Sequence, residues 1–259
     1  MTTFYFTGTG NSLAVAKRIG GDLISIPQVI DSNNLHYKDD VIGIIFPIYA
    51  LTAPEMVRRL LDKITFEADY TFAIGTYGNN AGSTMFNLQR QAQKKGYQFD
   101  YVDSILMVDN YLPIFEIGAE IAKLPEKKTE ERMVEIAKNI HDRKQKQNPK
   151  SSMLVRALSA VVSKVLTYDK FAKRYIVNDK CNSCGTCAKV CLAKNIEVKD
   201  IVHFSDHCAG CQACLHLCPK NAIHLKSEKS DKRWRNPEVS LKEIIAANNR
   251  TVLTDQILG

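Results

Sequence analysis

Residues 4 to 12 read Phe4-Tyr-Phe-Thr-Gly-Thr-Gly-Asn-Ser12, an apolar run followed by a glycine turn that opens an amphipathic segment. A turn between a strand and a helix can hold a phosphate, because backbone N–H groups and the helix dipole point at it. This turn has no lysine, which excludes the G-x4-G-K-[ST] loop of nucleoside triphosphate sites. Leu13 stands at the third glycine of G-x-G-x-x-G, which excludes a dinucleotide fingerprint.

The same alternation of apolar runs and amphipathic stretches continues to about residue 112. The apolar runs predict five strands, at Thr3–Phe6, Leu23–Ile26, Val41–Phe46, Tyr70–Gly75 and Tyr101–Val108. The amphipathic stretches predict helices at Asn11–Gly20, Pro54–Lys63 and Ser83–Lys95. Strands that alternate with helices in this way favour an α/β fold with a doubly wound parallel sheet.

Two further loops follow the third and fourth predicted strands. They read Pro47-Ile-Tyr-Ala-Leu-Thr-Ala-Pro54 and Thr76-Tyr-Gly-Asn-Asn-Ala-Gly82. Open parallel sheets bind ligands outside the carboxyl ends of their strands, where the strand order reverses. Tyr49 and Tyr77 are the aromatic side chains of these loops, and either one taken alone is as readily a packing residue.

The first turn resembles the FMN phosphate loop of flavodoxins, a T-G-x-G-N-[TS] run after the first strand. The resemblance implies a flavodoxin-like sheet of order 2-1-3-4-5 and a bound FMN. It implies phosphate contacts from Thr7, Gly8, Thr9, Gly10, Asn11 and Ser12. It also implies ring contacts from Pro47, Ile48, Tyr49, Thr76, Tyr77, Gly78 and Asn79.

All eight cysteines lie between residues 181 and 218. They form two C-x2-C-x2-C-x3-C runs, displaced by 27 residues, at Cys181, Cys184, Cys187, Cys191 and at Cys208, Cys211, Cys214, Cys218. Such clustering indicates metal, because disulfides would be spread along a secreted chain. The spacing is that of bacterial two-cluster ferredoxins. Zinc is the alternative, although four-cysteine zinc sites ordinarily use two separated pairs.

In that ferredoxin spacing the fourth cysteine of each run ligates the other [4Fe-4S] cluster. The rule assigns Cys181, Cys184, Cys187 and Cys218 to one cluster, and Cys208, Cys211, Cys214 and Cys191 to the second. Pro219 follows Cys218 as the pattern expects, but Leu192 follows Cys191, where we expect a changed loop with the ligand kept. His207 and His216 lie near the second run, where they could tune a cluster or serve only in packing.

The net charge of +7 is concentrated in one segment, since residues 123 to 180 hold 15 Lys and Arg against 7 Asp and Glu. Nucleic acid or an anionic membrane is one interpretation; the favoured one is solvated helices, with no nucleic-acid partner. Two amphipathic stretches, Glu126–Gln147 and Met153–Tyr175, occupy this segment. The second could lie on a membrane surface, but packing between two domains is the favoured role.

These patterns predict four regions of the chain. They are a flavodoxin-like domain at 1–123, a basic helical linker at 124–175, a small α+β ferredoxin-like two-cluster domain at 176–228, and an extension at 229–259. A capping box, Ser240 to Glu243, predicts a short helix in the extension. No signal-peptide pattern is present, and no apolar run reaches the roughly 18 residues of a spanning helix. We expect a cytoplasmic protein without a transmembrane segment, with homodimer formation left open.

The arrangement as a whole resembles the flavodoxin–ferredoxin fusion proteins, found mostly in anaerobic bacteria and archaea. The resemblance describes the architecture and does not supply a reaction. From the two kinds of cofactor motif we expect an intracellular electron-transfer protein that relays electrons between FMN, two [4Fe-4S] clusters and redox partner proteins, and we assign no catalytic residue. Two alternatives stay open. One is a flavin-dependent reductase of a quinone, disulfide or small organic acceptor, and the other is a non-redox zinc-binding scaffold.

Overall fold

The computed structural model describes residues 1–165 and 171–249. The strands of the first half are β1 (Thr2–Tyr5), β2 (Asp22–Ser25), β3 (His36–Lys38), β4 (Val41–Pro47), β5 (Thr65–Glu67), β6 (Tyr70–Tyr77) and β7 (Tyr101–Leu106). Five of them form one parallel sheet in the order β2-β1-β4-β6-β7. This is the predicted order 2-1-3-4-5, since β3 and β5 pair only with each other.

Helices cover both faces of this sheet. They are α1 (Asn11–Ile19), α2 (Ile26–Val29), α3 (Glu55–Lys63), α4 (Thr84–Lys94), α5 (Ile117–Ala122), α6 (Leu124–Lys127), α7 (Thr129–His141) and α8 (Met153–Val165). Apolar side chains alternate between the two faces, because successive strand residues point to opposite sides. Tyr5 and Ile45 pack towards α1 and α7, whereas Phe4 and Ile44 pack towards α3 and α4.

The predicted helix at Glu126–Gln147 is shorter than expected. The backbone turns at Lys128, which has a φ of 47°, and again at Arg143, which has a φ of 49°. Lys146 then pairs with Tyr101 at the edge of the sheet. An edge strand carries unpaired N–H and C=O groups, so this bridge satisfies backbone groups that a longer helix would leave exposed.

The cysteine-rich region folds as two copies of one unit. Its elements are β8 (Tyr175–Val177), α9 (Thr186–Lys189), β9 (Ile196–Val198), β10 (Val202–Phe204), α10 (Ala213–His216) and β11 (Ile223–Leu225). Each of the last three elements lies 27 residues after its counterpart among the first three. β8 pairs with β11 and β9 with β10, both antiparallel, so the two copies exchange strands.

The last element, α11 (Leu241–Asn248), starts at the predicted capping box. The Ser240 hydroxyl accepts a hydrogen bond from the Glu243 N–H, and the Glu243 carboxylate accepts one from the Ser240 N–H. The Asn248 amide nitrogen donates to the carbonyls of Thr7 and Val190, at 3.1 and 3.2 Å. The helix therefore ties the first turn of the chain to the cysteine-rich region; the extension beyond residue 249 lies outside the described residues.

The cysteine-rich region sits against the carboxyl edge of the sheet and shares both of its cores. Val190 and Leu217 pack with α1 and α7 on one face. Leu192 packs with Phe6 and the other face, and it is fully buried. Within the described residues, no helix has the length and apolarity needed to span a bilayer.

Candidate functional site

A cavity of about 330 Å³ opens at the carboxyl ends of β1, β4 and β6. The structure brings every predicted flavin-site residue except Gly10 to its wall, namely Thr7, Gly8, Thr9, Asn11, Ser12, Pro47, Ile48, Tyr49, Thr76, Tyr77, Gly78 and Asn79. The three loops meet here because the carboxyl ends of parallel strands lie at one edge of the sheet. The volume is within the range of pockets for small-molecule ligands, about 300–1,000 Å³.

The first turn forms a neutral cradle at the amino terminus of α1. The Gly10 N–H donates to the Thr7 hydroxyl at 3.1 Å, and the hydroxyls of Ser12 and Thr76 are 2.9 Å apart. The amide of Asn110 donates to the Thr9 hydroxyl at 2.5 Å. The first N–H groups of a helix have no partner within the helix, so they remain available to a bound anion. The cradle fits a phosphate held by neutral donors.

Gly10 is not among the residues that line the cavity, and its predicted phosphate contact stays a prediction. Its φ is 103°, a conformation that L side chains rarely adopt. A Cβ at this position would lie 3.0 Å from Asn236 Cβ and 3.1 Å from Val239 Cβ. The Asn236 N–H donates to the Thr9 carbonyl at 2.9 Å. Gly10 therefore allows the chain near residue 236 to pack behind the turn.

The loop after β4 is held in a strained turn. Tyr49 and Thr52 exchange two backbone hydrogen bonds of 3.0 Å. The two residues between them, Ala50 and Leu51, have φ values of 47° and 60°. A non-glycine residue in this left-handed region costs about 1–2 kcal/mol, and such strain is concentrated at functional sites. Both residues line the cavity, next to Tyr49.

Sequence reasoning missed a fourth loop that lines the cavity, at residues 108–111 after β7. Asp109 is the one carboxylate in the described lining, and no lysine or arginine accompanies it there. Burial raises the pKa of Asp109 above its ordinary value. A Cβ on Gly78 would lie only 2.3 Å from Asp109 Cβ, so the two loops need this glycine. No local pattern marked residues 108–111, because the loop is identified only by its place at the sheet edge.

A buried ion pair contacts the backbone of the loop after β6. The Lys127 ammonium lies 2.8 Å from the Glu120 carboxylate, and both side chains are almost fully buried. The same ammonium donates to the carbonyls of Gly78 and Met107, at 3.2 and 2.7 Å. Lys127 thus holds the backbone beside the cavity, although in the sequence it is one of many charges in a basic segment.

The cysteines gather into two sets of four, each lining its own small cavity. We call the set Cys181, Cys184, Cys187 and Cys218 the outer cysteine site, and the set Cys191, Cys208, Cys211 and Cys214 the inner cysteine site. In each set the fourth cysteine comes from the other sequence run, which is the crossed arrangement expected from the spacing. Four convergent thiols of this kind are a donor set for an iron–sulfur cluster.

The thiols of each site influence one another. Burial raises the pKa of Cys187 to about 11, and its outer-site neighbours add to the rise. Burial likewise raises the pKa of Cys208 to about 11, with a contribution from Cys191 of the inner site. A bound metal centre inverts this preference, because its positive charge deprotonates a coordinating thiol outright.

Polar groups converge on the sulfurs in an arrangement that repeats between the sites. The Asn195 N–H donates to Cys191 Sγ at 3.2 Å, and the Ala222 N–H, 27 residues later, donates to Cys218 Sγ at 3.3 Å. The Tyr175 hydroxyl is buried in the wall of the inner cavity, beside the thiols of Cys208 and Cys214. A donor in this position fits a cavity filled by a group with acceptor sulfurs.

The chain resembles known proteins in each half. No protein-family profile matches it. Ferredoxin-3 of Nostoc sp. is 34% identical over 73 residues, covering 74% of that ferredoxin and 20% of this chain. Flavodoxin of Megasphaera elsdenii in its two-electron reduced form is 17% identical and has a TM-score of 0.29, covering 40% of this chain and 85% of the flavodoxin. The Trp repressor binding protein of Bacillus subtilis is 12% identical and has a TM-score of 0.36, covering 56% and 100%.

The fold of the first half rests on its sheet order and not on these scores. The relative places the cysteine-rich region in the ferredoxin family, and the order 2-1-3-4-5 makes the preceding sheet flavodoxin-like. The chain thus joins a flavodoxin-like fold to a region of the ferredoxin family, and we call it the fusion protein.

In the fusion protein the inner cysteine site lies against the cavity of the flavodoxin-like half. Gly210, Cys211 and Gln212 form part of the cavity wall. A Cβ on Gly8 would lie 3.1 Å from the Cys211 carbonyl oxygen and 3.2 Å from Cys211 Cβ. Sequence reasoning assigned Cys211 to a metal site alone; the structure gives it a second place, beside the first turn.

Leu192 explains the one departure from the ferredoxin pattern in the fusion protein. Its side chain is fully buried among apolar residues of the sheet, whereas Pro219, at the equivalent position, is exposed. His216 is also a contact between the halves: its Nδ1 accepts from the Trp234 N–H at 3.2 Å, so Nε2 donates to the Asn110 carbonyl at 2.8 Å. Burial lowers the pKa of His216 to about 4, which keeps it neutral in this role.

Proposed function

We propose that the fusion protein relays electrons between a bound FMN and two [4Fe-4S] clusters. The observation that supports this relay best is the contact of Cys211 with Gly8, because it makes a cysteine of the inner site part of the flavodoxin-type cavity. Two redox modules that worked separately would need no such contact. The proposed domains are those expected from the sequence: residues 1–123, 124–175, 176–228 and 229–259.

The proposed FMN site is the cavity at the sheet edge. The first turn would hold the phosphate through its hydroxyls and through the N–H groups of α1. Tyr49 and Tyr77 would flank the ring, with the backbone of Gly78 and Asn79 at its polar edge. When bound, FMN supplies a centre that accepts one or two electrons, and each cubane supplies a centre that passes one.

The arrangement of the cysteines along the chain favours cubanes over zinc. Each run reads C-x2-C-x2-C-x3-C, whereas four-cysteine zinc sites ordinarily use two separated pairs. Among the described residues, the ligand atoms of His224, Glu228 and Asp231 lie within 4.8 Å of one another, as the ligands of a single ion would. The His224 group is already bonded to Arg233, a cation that competes with a metal.

The positions of the two cysteine sites support an order for electron transfer in the proposed relay. The inner site borders the flavin cavity, whereas the outer site includes Cys184, which is exposed. We propose that electrons pass between FMN and the inner cluster, then between the inner and outer clusters, and leave or enter at Cys184. Redox partner proteins would dock on that side of the cysteine-rich region.

A flavin-dependent reductase remains the second candidate, and Asp109 is the observation that favours it. A carboxyl group with a raised pKa in the wall of a flavin cavity could supply a proton to an acceptor. Turnover of quinone, disulfide or small organic acceptors by the loaded protein, lost in Asp109→Asn, would establish that reaction.

The relay is tested by following electron exchange within the loaded protein under anaerobic conditions. A short photoreduction pulse delivers less than one electron per molecule, and the flavin absorbance and the cluster EPR signals are followed in time. We expect exchange between flavin and cluster at a rate that is independent of protein concentration. Exchange whose rate rises with protein concentration would occur between molecules and would overturn the relay.

Two variants test the proposed order of electron transfer. Cys184→Ala removes the outer cluster and should leave exchange between the flavin and the inner cluster. Cys191→Ala removes the inner cluster and should isolate the outer cluster from the flavin within each molecule. Equal exchange in both variants would contradict the proposed order while leaving the relay itself in place.

A further inference from the structure

Helix α8 carries an exposed apolar stripe. Leu154, Leu158, Val161 and Val165 recur at intervals of four, three and four residues, so they lie on one face of the helix. Their exposed fractions are 79%, 55%, 58% and 72%. The favoured sequence interpretation, that this stretch packs between the domains, is therefore wrong for this face. Residues 166–170, the next part of the stretch, lie outside the described residues.

The side of α8 away from the stripe, with Ser159 and Arg156, and one flank, with Val162, are anchored to the flavodoxin-like half. The Ser159 hydroxyl is buried and accepts a hydrogen bond from the Ser83 N–H at 3.1 Å. Val162 lines the flavin cavity, and the Arg156 guanidinium lies 4.9 Å from the centre of the Phe86 ring. These contacts fix which side of the helix faces outward.

The charge around the stripe is positive. Residues 143–165 contain six Lys and Arg and no Asp or Glu. Lys164 is on the helix, Lys150 precedes it, and Arg90 lies on the neighbouring α4 with its guanidinium 5.8 Å from the Phe86 ring. Within residues 1–165 and 171–249, no carboxylate forms an ion pair with any of these three cations. Among the described residues, the apolar face is thus accompanied by positive charge without a paired carboxylate.

We infer that α8 docks the fusion protein onto an anionic lipid surface. A helix with one apolar face and basic flanks lies in the plane of a membrane, with its apolar side chains below the headgroups and its cations among them. A second copy of the chain fits less well, because two such faces would bring like charges together. Since Val162 lies on the flank of this stripe and lines the cavity, docking brings the cavity wall within about one helix diameter, 10–12 Å, of the lipid surface.

Vesicle partition of the full, cofactor-loaded protein tests this inference independently of any redox activity. One set of vesicles is pure phosphatidylcholine, and the other contains phosphatidylglycerol in addition. We expect sedimentation with the anionic vesicles only, weakened by high salt because salt screens exposed charges. Lys150→Gln/Lys164→Gln should weaken partition about 25-fold, from about fivefold for each basic residue near such a surface.

The apolar stripe is tested with a matched pair of double variants. Leu154→Gln/Leu158→Gln should weaken partition roughly tenfold or more, because it removes the side chains that enter the lipid. Val134→Gln/Ile201→Gln changes two other exposed apolar residues, which lie outside α8, and should keep wild-type partition. Unchanged flavin, iron and melting temperature show that each variant is folded.

Three results would overturn the inference. One is equal sedimentation with both kinds of vesicle, or with neither. Another is a loss of partition in Val134→Gln/Ile201→Gln as large as in Leu154→Gln/Leu158→Gln. The third is that another occupant covers this face in place of lipid. The wild-type protein would then bind no vesicles and would form a dimer that Leu154→Gln/Leu158→Gln converts to a monomer, or it would bind an acidic protein through this face.

Discussion

The outer and inner cysteine sites have the same cysteine spacing and different surroundings. The outer cavity is walled by exposed loop residues, including Pro219 and Lys220. The inner cavity is walled by buried Leu192 and by Phe204, which stacks on Tyr175 with ring centres 5.1 Å apart. The two copies of the motif are thus unequal sites, because different residues pack against each copy. The inner site is joined to the flavin cavity, and the outer one is left open to the surface.

The sharpest test of this inequality is the loss of one ligand from each site. Cys184→Ala and Cys211→Ala should each remove one cluster and about half of the iron and sulfide, because a ligand is lost. Only Cys211→Ala should also weaken FMN binding, roughly tenfold, or about 1.4 kcal/mol, because the Cys211 loop is part of the cavity wall. Iron, sulfide and flavin analysis of protein purified without oxygen measures both effects. Equal flavin affinity in the two variants would break the distinction between the sites.

The next test removes the flavin and leaves both cysteine sites untouched. Thr9→Glu places a carboxylate in the phosphate cradle, where two like charges about 4 Å apart repel by about 4 kcal/mol near a protein surface. We expect FMN affinity to fall roughly 100-fold or more with unchanged iron content. Thr9→Ser is the control, because it keeps the hydroxyl that accepts from Asn110. Normal flavin content in Thr9→Glu would show that the phosphate is bound elsewhere.

The residues that follow the fourth cysteine of each run, Leu192 and Pro219, should contribute unequally to stability. Leu192→Ala should cost about 2–5 kcal/mol of stability, since it leaves a cavity in the core between the halves. The matched change Pro219→Ala, at an exposed position, should cost less than about 1 kcal/mol. Melting temperatures of the loaded proteins provide the comparison. Similar shifts in the two variants would mean that Leu192 does not join the halves.

The smallest expected effect concerns one hydrogen bond. The Thr186 hydroxyl lies 3.4 Å from Cys184 Sγ, and Ala213 occupies the equivalent position of the inner site. Thr186→Ala should lower the outer-cluster potential slightly, because hydrogen bonds to the sulfurs stabilise the more negative, reduced cluster. The inner-cluster potential should not move. An EPR-monitored redox titration resolves the two signals, and a shift of both would rule out a local effect.

Much of this protein follows from local patterns in the sequence. The strand and helix periods predicted a parallel sheet, and the resemblance of the first turn to flavodoxins implied its strand order. The glycine turn at residues 7–12 marked one end of the cavity. The cysteine spacing predicted the crossed sets through the rule known for two-cluster ferredoxins. The capping box predicted α11, since its hydrogen bonds join residues only three apart.

Contacts between residues far apart in the chain were decided by the tertiary structure. Asp109, Lys127 and Cys211 reach the cavity because the sheet edge, the linker and the cysteine-rich region converge there. Gly10 is expected at the phosphate from its motif, and the structure adds its close packing against Asn236. Leu192 looked like an irregularity and is a core residue. The sequence by itself determined the elements and the ligand spacings, which depend on neighbouring residues; only burial between distant segments made one cysteine site inner and the other outer.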